Sequence, residues 1–176
     1  MGYLNRTKDM KIVYDFNADD KELRAYSDAS FCSPTDGNMS VQGHILVFAN
    51  GPVDWFSQLI TTTVRSSTDA EIIALSKTVA QTDKIRLLLY ELGYMPNNPI
   101  EVHEDNRSVI AIINSDSTYK GEGYLRKDIL CLRRRLRGPD YVLKDIRSKQ
   151  QPADAMTKPL AKTEFRRLME LSGCKF

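Results

Sequence analysis

The chain is poor in the residues that most often carry metal or redox chemistry: its 176 residues include three cysteines and two histidines. Cys32, Cys131 and Cys174 lie far apart and form no C-x-x-C pair. That argues against a disulfide framework and a thiolate zinc site, and it favours a reducing compartment. Three buried, inert thiols are expected. No stretch approaches the roughly 18 uninterrupted apolar residues of a membrane span, so no membrane partner is expected. The N-terminal MGYLNRTKDMKIVYDF lacks the apolar core of a secretion signal and reads as an internal fragment with a start methionine. Internal repeats and low-complexity tracts are also missing. The formal net charge of +2 is too small to announce a nucleic-acid partner.

What is present fits one globular domain, with 41% hydrophobic and 27% charged residues. The distribution of charge says more than its sum. Between Arg126 and Arg137, six basic residues (Arg126, Lys127, Arg133, Arg134, Arg135 and Arg137) stand against one acid, Asp128. A concentrated basic face suits a phosphate backbone. A solvated helix face is the alternative.

Three strand-like runs come first: Leu23–Ala29, Val41–Ala49 and Val53–Leu59. SPTDGN separates the first two, and Asn50-Gly51 marks a hairpin between the last two. From Ser67 the period changes. Ile72, Leu75, Val79, Ile85, Leu88, Leu89 and Leu92 recur at helical spacing, with Ser67 or Thr68 as cap and Gly93 as stop. Pro99–Glu104 predicts a fourth strand, bounded by MPNNP, and Asn106–Asn114 a short Asn-capped helix. In residues 124–136, Leu125, Ile129, Leu132 and Leu136 form one stripe of a third helix. Tyr141–Ile146 predicts a fifth strand. Gln151–Leu160 and Thr163–Leu171 read as helices broken at Pro159. The order β-β-β-α-β-α-α-β-α predicts an α/β fold with a five-stranded mixed sheet, antiparallel then parallel, covered by helices.

Four acids fall at junctions of this pattern. Asp28 lies near the end of the first strand (YSDAS), Glu71 in the first turn of the long helix, Asp105 at the end of the fourth strand, and Asp154 at a helix start. Central strands would set Asp28 and Asp105 side by side. Gathered carboxylates repel one another unless cations lie between them. Magnesium suits such a site, and two ions about 4 Å apart can activate water and stabilise a leaving oxygen. Each acid also has a plainer reading. Asp28 can form a turn, Glu71 and Asp154 sit where a helix dipole favours acids, and Asp105-Asn106 can cap a helix.

YSDAS, the Gly43 to Trp55 hairpin, SSTDAEIIALS, EDNRSVIAI and PADAMTKPL occur in that order. They resemble the ribonuclease H domains of Ty/copia-type retrotransposon Pol polyproteins, whose blocks read Y-S-D-A, S-S-T-E-A-E-Y-x-A-L-S, x-D-N-x-S-A-I and A-D-x-x-T-K-P-L. The resemblance runs from about Leu4 to Gly173. It implies a ribonuclease H fold with helices on both faces of the sheet, and hydrolysis of the RNA strand of RNA–DNA hybrids during reverse transcription. It implies two magnesium ions, with manganese as substitute, held by Asp28, Glu71, Asp105 and Asp154. In the family motif the second acid is the catalytic one, which selects Glu71 over Asp69. The products would end in 5′-phosphate and 3′-hydroxyl. Ser27, Ser30 and Asn106 become candidate contacts to backbone or 2′-hydroxyl, and the basic residues from Arg126 to Arg137 candidate phosphate contacts. Residues 1–20 resemble the tail of the connection from reverse transcriptase, with the domain at 21–176. The implied partners are the hybrid and the reverse transcriptase of the same polyprotein. The implied location is the cytoplasm, in virus-like particles, with the nucleus as alternative.

The sequence departs from the pattern in one place. Many copia-type members carry K-H-I-D and a further histidine before the fourth carboxylate, where this chain has GEGYLRKDILCLRRRL. That stretch has no histidine, which resembles the yeast Ty branch more than the plant copia branch, and Arg126 or Lys127 is the candidate substitute. His44 and His103 both precede Asp105 and read as strand residues. Trp55 reads as a core or hairpin packing residue. The alternative function is a catalytically weak or host-adopted module that binds hybrid or supports a reverse transcriptase. An integrase-like core is disfavoured by the TKPL block.

Overall fold

The computed structural model describes residues 7–16, 21–33, 37, 39–94, 98–119, 121 and 123–176. Most of the SPTDGN turn and of the MPNNP boundary lies outside these residues, as do residues 1–6 and 17–20 of the connecting tail. A two-residue strand, β1 (Lys11–Ile12), comes first. The three β-patterned runs then form β2 (Arg24–Ser33), β3 (Met39–Phe48) and β4 (Gly51–Leu59). They pair antiparallel, and β5 (Ile100–Glu104) and β6 (Tyr141–Asp145) extend the sheet in parallel, giving the order β4-β3-β2-β5-β6. This is the five-stranded mixed sheet that the pattern predicts.

The β3–β4 turn sits one residue earlier than Asn50-Gly51 suggests. Phe48 pairs with Gly51, and Ala49 and Asn50 carry the positive φ values of 49° and 62° expected of a two-residue hairpin turn. Gly51 instead makes room for Tyr14, whose ring lies 2.6 Å from where a Cβ would sit.

The long helix α1 (Ser67–Glu91) starts one residue before the expected caps, because Ser66 accepts from the Asp69 amide. It ends as expected at Gly93, with Gly93 N–H on Tyr90 O and Tyr94 N–H on Leu89 O and a φ of 85°. Its first half buries Ile72, Leu75 and Val79, but Leu88 and Leu92 are exposed because the last turns run past the core. Helices α2 (Arg107–Asn114) and α3 (Leu125–Leu136) complete this layer, with Leu125, Ile129, Leu132 and Leu136 all buried. Between them a core forms from Leu23, Ala25, Leu46, Val102, Val109, Ile113 and the α1 and α3 stripes.

On the other side of β3, Ile45, Trp55, Met156 and Phe165 help line an apolar cavity of about 250 Å3. Trp55, expected to be packed, is 55% exposed there. Here lie the short α4 (Asp154–Thr157) and α5 (Lys162–Leu171). Of the first expected C-terminal helix, Gln151–Leu160, only the single turn Asp154–Thr157 is α-helical, and a 3-10 turn at Ser148–Gln150 precedes it. A last strand, β7 (Cys174–Lys175), pairs antiparallel with β1. Two thiols expected inside are outside: Cys32 and Cys131 are exposed and Cys174 is buried, all three free. Cys131 falls off the buried stripe of α3, and Cys32 lies within a β-bulge of β2, between Ser30 and Ser33, with a φ of 47°.

Candidate active site

The sheet register brings the first two acids together. Parallel strands β2 and β5 pair Tyr26 with His103. Two residues further on lie Asp28, still within β2, and Asp105, the first residue past the end of β5, so the parallel register sets the two acids beside each other. Asp28 is the fifth of ten residues in β2 rather than near its end, because the strand continues through Ser33 beyond the last β5 pairing. Helix α1 packs on this stretch through Ala70 and Ala74 against Ala29. Their small side chains let the helix approach closely, which delivers Glu71. Glu71 lies one residue past the first turn, whose acid is Asp69. Asp69 itself caps the helix, accepting from Arg65 N–H at 3.3 Å and from the Tyr119 hydroxyl at 2.6 Å.

Asp28, Glu71 and Asp105 each present a carboxylate oxygen within 4.8 Å of the others. Asp28 and Glu71 are buried and Asp105 is half-buried. Glu71 Oε2 is buried without a hydrogen-bond partner among the described residues. Burial, and then the charges of Glu104, Asp28 and Asp105, hold the Glu71 carboxyl well above the usual carboxylate range. A fully buried acceptor facing two further carboxylates is an arrangement that a cation with oxygen preference would satisfy.

Asp154 reaches the same place from the opposite side of β3. Gly43 pairs with Asp28 across the β2–β3 ladder. A Cβ on Gly43 would lie 2.6 Å from Met156 Cβ and 2.9 Å from Thr157 Cγ2, so only glycine lets α4 settle here. Further ties fix the segment: Gln151 Nε2 donates to Ser27 O at 2.8 Å, and Ser57 Oγ donates to Met156 O at 2.6 Å. Thr157 donates its hydroxyl to Asp28 Oδ2. The Lys158 ammonium lies 2.7 Å from Asp154 Oδ1 and 3.2 Å from Asp28 Oδ1. Burial, and then the charge of Asp28, push the Asp154 carboxyl up to about 6. All four sequence-selected acids therefore meet in one region: three as a direct cluster, the fourth bridged to Asp28 through Lys158.

The other selected residues are placed differently. Ser27 is fully buried, with its Oγ unpartnered, and Ser30 is half-buried. Asn106 caps α2, its Oδ1 accepting from Ser108 N–H and Val109 N–H at 3.0 and 3.3 Å. Arg133 donates to Ile112 O and Ser117 O, and Arg137 to Ile113 O and Ser115 O with an ion pair to Asp116, so both close the C-terminal end of α2. Arg135 pairs with Asp83. Arg126, Lys127 and Arg134 are exposed and make no ion pair among the described residues. Helix α3 runs in the same direction as α1, Asp128 meeting Ser76 and Arg135 meeting Asp83. Arg126 and Lys127 thus stand toward the Glu71 end, and Arg133 to Arg137 toward the other. His44 and His103 are strand residues, stacked on Phe56 and Tyr26.

Sequence reading missed Glu104, Gln151, Thr157 and Lys158. Glu104 is fully buried beside Asp105, its Oε1 accepting from Asn106 N–H at 3.0 Å and its Oε2 unpartnered. Its carboxyl is held well above the usual range by burial, against the opposing Asn106 hydrogen bond. An acid directly after a histidine on a short strand gives no hint of such burial. Thr157 and Lys158 were in view within TKPL, and i,i+4 spacing from Asp154 to Lys158 is the pattern that pairs them.

The five-stranded sheet superposes on LC11-RNase H1, isolated from compost, with a TM-score of 0.57 and 18% identity, covering 77% of this chain and 92% of that one. The same enzyme in complex with an RNA/DNA hybrid gives 0.56 at 14% identity, covering 77% and 93%. The fold is that of ribonuclease H. The ribonuclease H fold also matches the prototype foamy virus protease-reverse transcriptase, with a TM-score of 0.54 at 15% identity, covering 86% of this chain and 20% of that one. In sequence, the chain is 28% identical over 151 residues to the retrovirus-related Pol polyprotein from transposon RE2 of Arabidopsis thaliana, covering 86% of the chain and 10% of the relative. It is 29% identical over 166 residues to the transposon Ty1-JR1 Gag-Pol polyprotein of Saccharomyces cerevisiae, covering 92% and 9%. Its homologues are thus Ty1/copia Pol polyproteins. The chain spans about a tenth of the length of these relatives. No protein-family model matches it.

Proposed function

We propose that this chain is a divalent-metal-dependent endonuclease that hydrolyses the RNA strand of RNA–DNA hybrids during retrotransposon reverse transcription. The observation that carries the reading is the convergence of Asp28, Glu71 and Asp105 oxygens within 4.8 Å on the ribonuclease H fold. Magnesium, or manganese in its place, would be held by these three and by Asp154, and when bound supplies Lewis-acid activation of water and charge stabilisation at the phosphate. The chain's own residues do the rest. The sheet register holds Asp28 and Asp105 at fixed spacing, α1 holds Glu71 against them, and α4 carries Asp154 to the rim. Asn106 orders the backbone beside Asp105. Arg126 and Lys127, exposed toward the Glu71 end, supply phosphate contacts, whereas Arg133, Arg135 and Arg137 serve the fold.

A hybrid as substrate is supported by the match to a ribonuclease H1 solved with an RNA/DNA hybrid. A reverse transcriptase of the same polyprotein as partner is supported by the Pol relatives and the foamy virus match. Residues 1–20 then form the tail of the connection, and the site of action is the cytoplasmic virus-like particle. No helix among the described residues is long and apolar enough to cross a membrane.

The test is cleavage of a hybrid labelled on its RNA strand, with magnesium and with chelator. Cleavage is expected only with the metal. Asp105→Asn should lower it by at least a hundredfold while leaving the far-ultraviolet spectrum and hybrid affinity in place. Metal-independent cleavage, or full activity of Asp105→Asn, rejects the assignment. Hybrid binding without any cleavage selects the non-catalytic alternative.

A further inference from the structure

The four acids do not form one equivalent set. Asp28, Glu71 and Asp105 face one another with no cation in hydrogen-bond contact with Glu71 or Asp105 among the described residues. The space between Asp28 and Asp154 is already filled. The Lys158 ammonium touches both, at 3.2 and 2.7 Å, while Thr157 engages the second oxygen of Asp28. Asp28 is 1% exposed, and these two donors engage its two carboxylate oxygens. Among the described residues, Lys158 is held at its tip and through its backbone N–H on Asp154 O at 3.0 Å, and its side chain is 38% exposed. It therefore has a route to water.

We propose that Lys158 is a tethered counter-ion that occupies the Asp28–Asp154 position and must swing out before a divalent ion can bind there. This rests on the metal-site reading above and deepens it. The first ion enters the open half, Asp28–Glu71–Asp105. The second must displace an ammonium that already makes two charge-assisted contacts, so it binds more weakly. The two affinities are separated by this side chain, and the weaker one sets the metal concentration at which the site fills. Lys158 acts through Asp28 and Asp154 and is a positioning residue.

The experiment is a manganese titration of the whole chain, following free Mn2+ by electron paramagnetic resonance, for the wild type and Lys158→Met. The wild type should show one tight and one weak site. In Lys158→Met the weak site should tighten by about tenfold, the worth of one partly buried ion pair, with the tight site changing much less. In chelator, the variant should melt at a lower temperature than the wild type, and saturating magnesium should close that gap. An unchanged or weakened second site in the variant overturns the proposal while leaving the metal site intact. Absence of any manganese binding in both proteins overturns the metal-site reading along with it. A measurement on the unmodified chain covers the case in which Lys158→Met fails to fold. The Lys158 15Nζ resonance, sheltered from solvent exchange in chelator, should broaden as the second equivalent of magnesium binds; a resonance unchanged at saturation overturns the proposal.

Discussion

At the scale of single residues, this molecule is governed by what surrounds each titrating group. His44 is buried in β3, stacked on Phe56, with Asp54 3.6 Å away and the Lys77 ammonium over the Phe56 ring. Burial lowers its pKa below 6.5, with Asp54 opposing and Lys77 reinforcing the shift. The sign follows. The neutral imidazole favours the fold above pH 6.5, and that contribution is lost as pH falls from 6.5 toward the folded value, since the unfolded chain binds the proton first. In chelator, the wild type should lose more thermal stability between pH 7 and pH 5 than His44→Gln does. Equal losses would show that His44 is not held neutral. Which residues were readable follows the same logic. Asp28, Glu71, Asp105 and Asp154 stand out because each sits in a distinctive block. Glu104 and Lys158 lie in two of the same blocks, but their roles are not legible there, because burial and ammonium placement depend on neighbours that are remote in sequence, such as Asp28 for Lys158.

At the scale of elements, α3 shows what an apolar stripe can and cannot say. Its spacing identifies the buried Leu125, Ile129, Leu132 and Leu136. It is silent on the opposite faces, where Arg133 and Arg137 reach the terminal carbonyls of α2 and Arg126 and Lys127 reach nothing described. Two kinds of arginine therefore share one helix. Arg133→Ala should lower stability by about 1–3 kcal/mol, since it strips half-buried carbonyls of their donor, with little effect on the salt dependence of hybrid binding. Arg126→Ala with Lys127→Ala should leave the melting temperature in place and reduce the salt slope by about one per lost phosphate contact. The reverse pattern would move the nucleic-acid face to the far end of α3. Helix α1 teaches a related lesson. Its periodicity continues to Leu92, yet only the half lying on the sheet is buried, because period reports a face and not what that face meets.

At the scale of the whole molecule, the pairing of β1 with β7 could not be read in advance. Two-residue strands carry no period, and Ile12 meets Cys174 from the opposite end of the chain. Around it, Tyr14 donates to Pro52 O at 2.8 Å, Asp15 N–H reaches Ala49 O at 2.9 Å, and Phe16 sits against Phe48 and Tyr94. The segment before the five-stranded sheet is thus laced to the segment after it. Because the pair is antiparallel, with Lys11 opposite Lys175, handles attached near residue 7 and residue 176 would load its bonds one after another, as a zip opens. In an optical trap the clasp should give way in a separate low-force step, before the sheet that carries Asp28 and Asp105 yields. A single high-force rupture would contradict this. Tension applied across these two segments would then be spent at a two-residue fastening, and the carboxylates would keep their spacing.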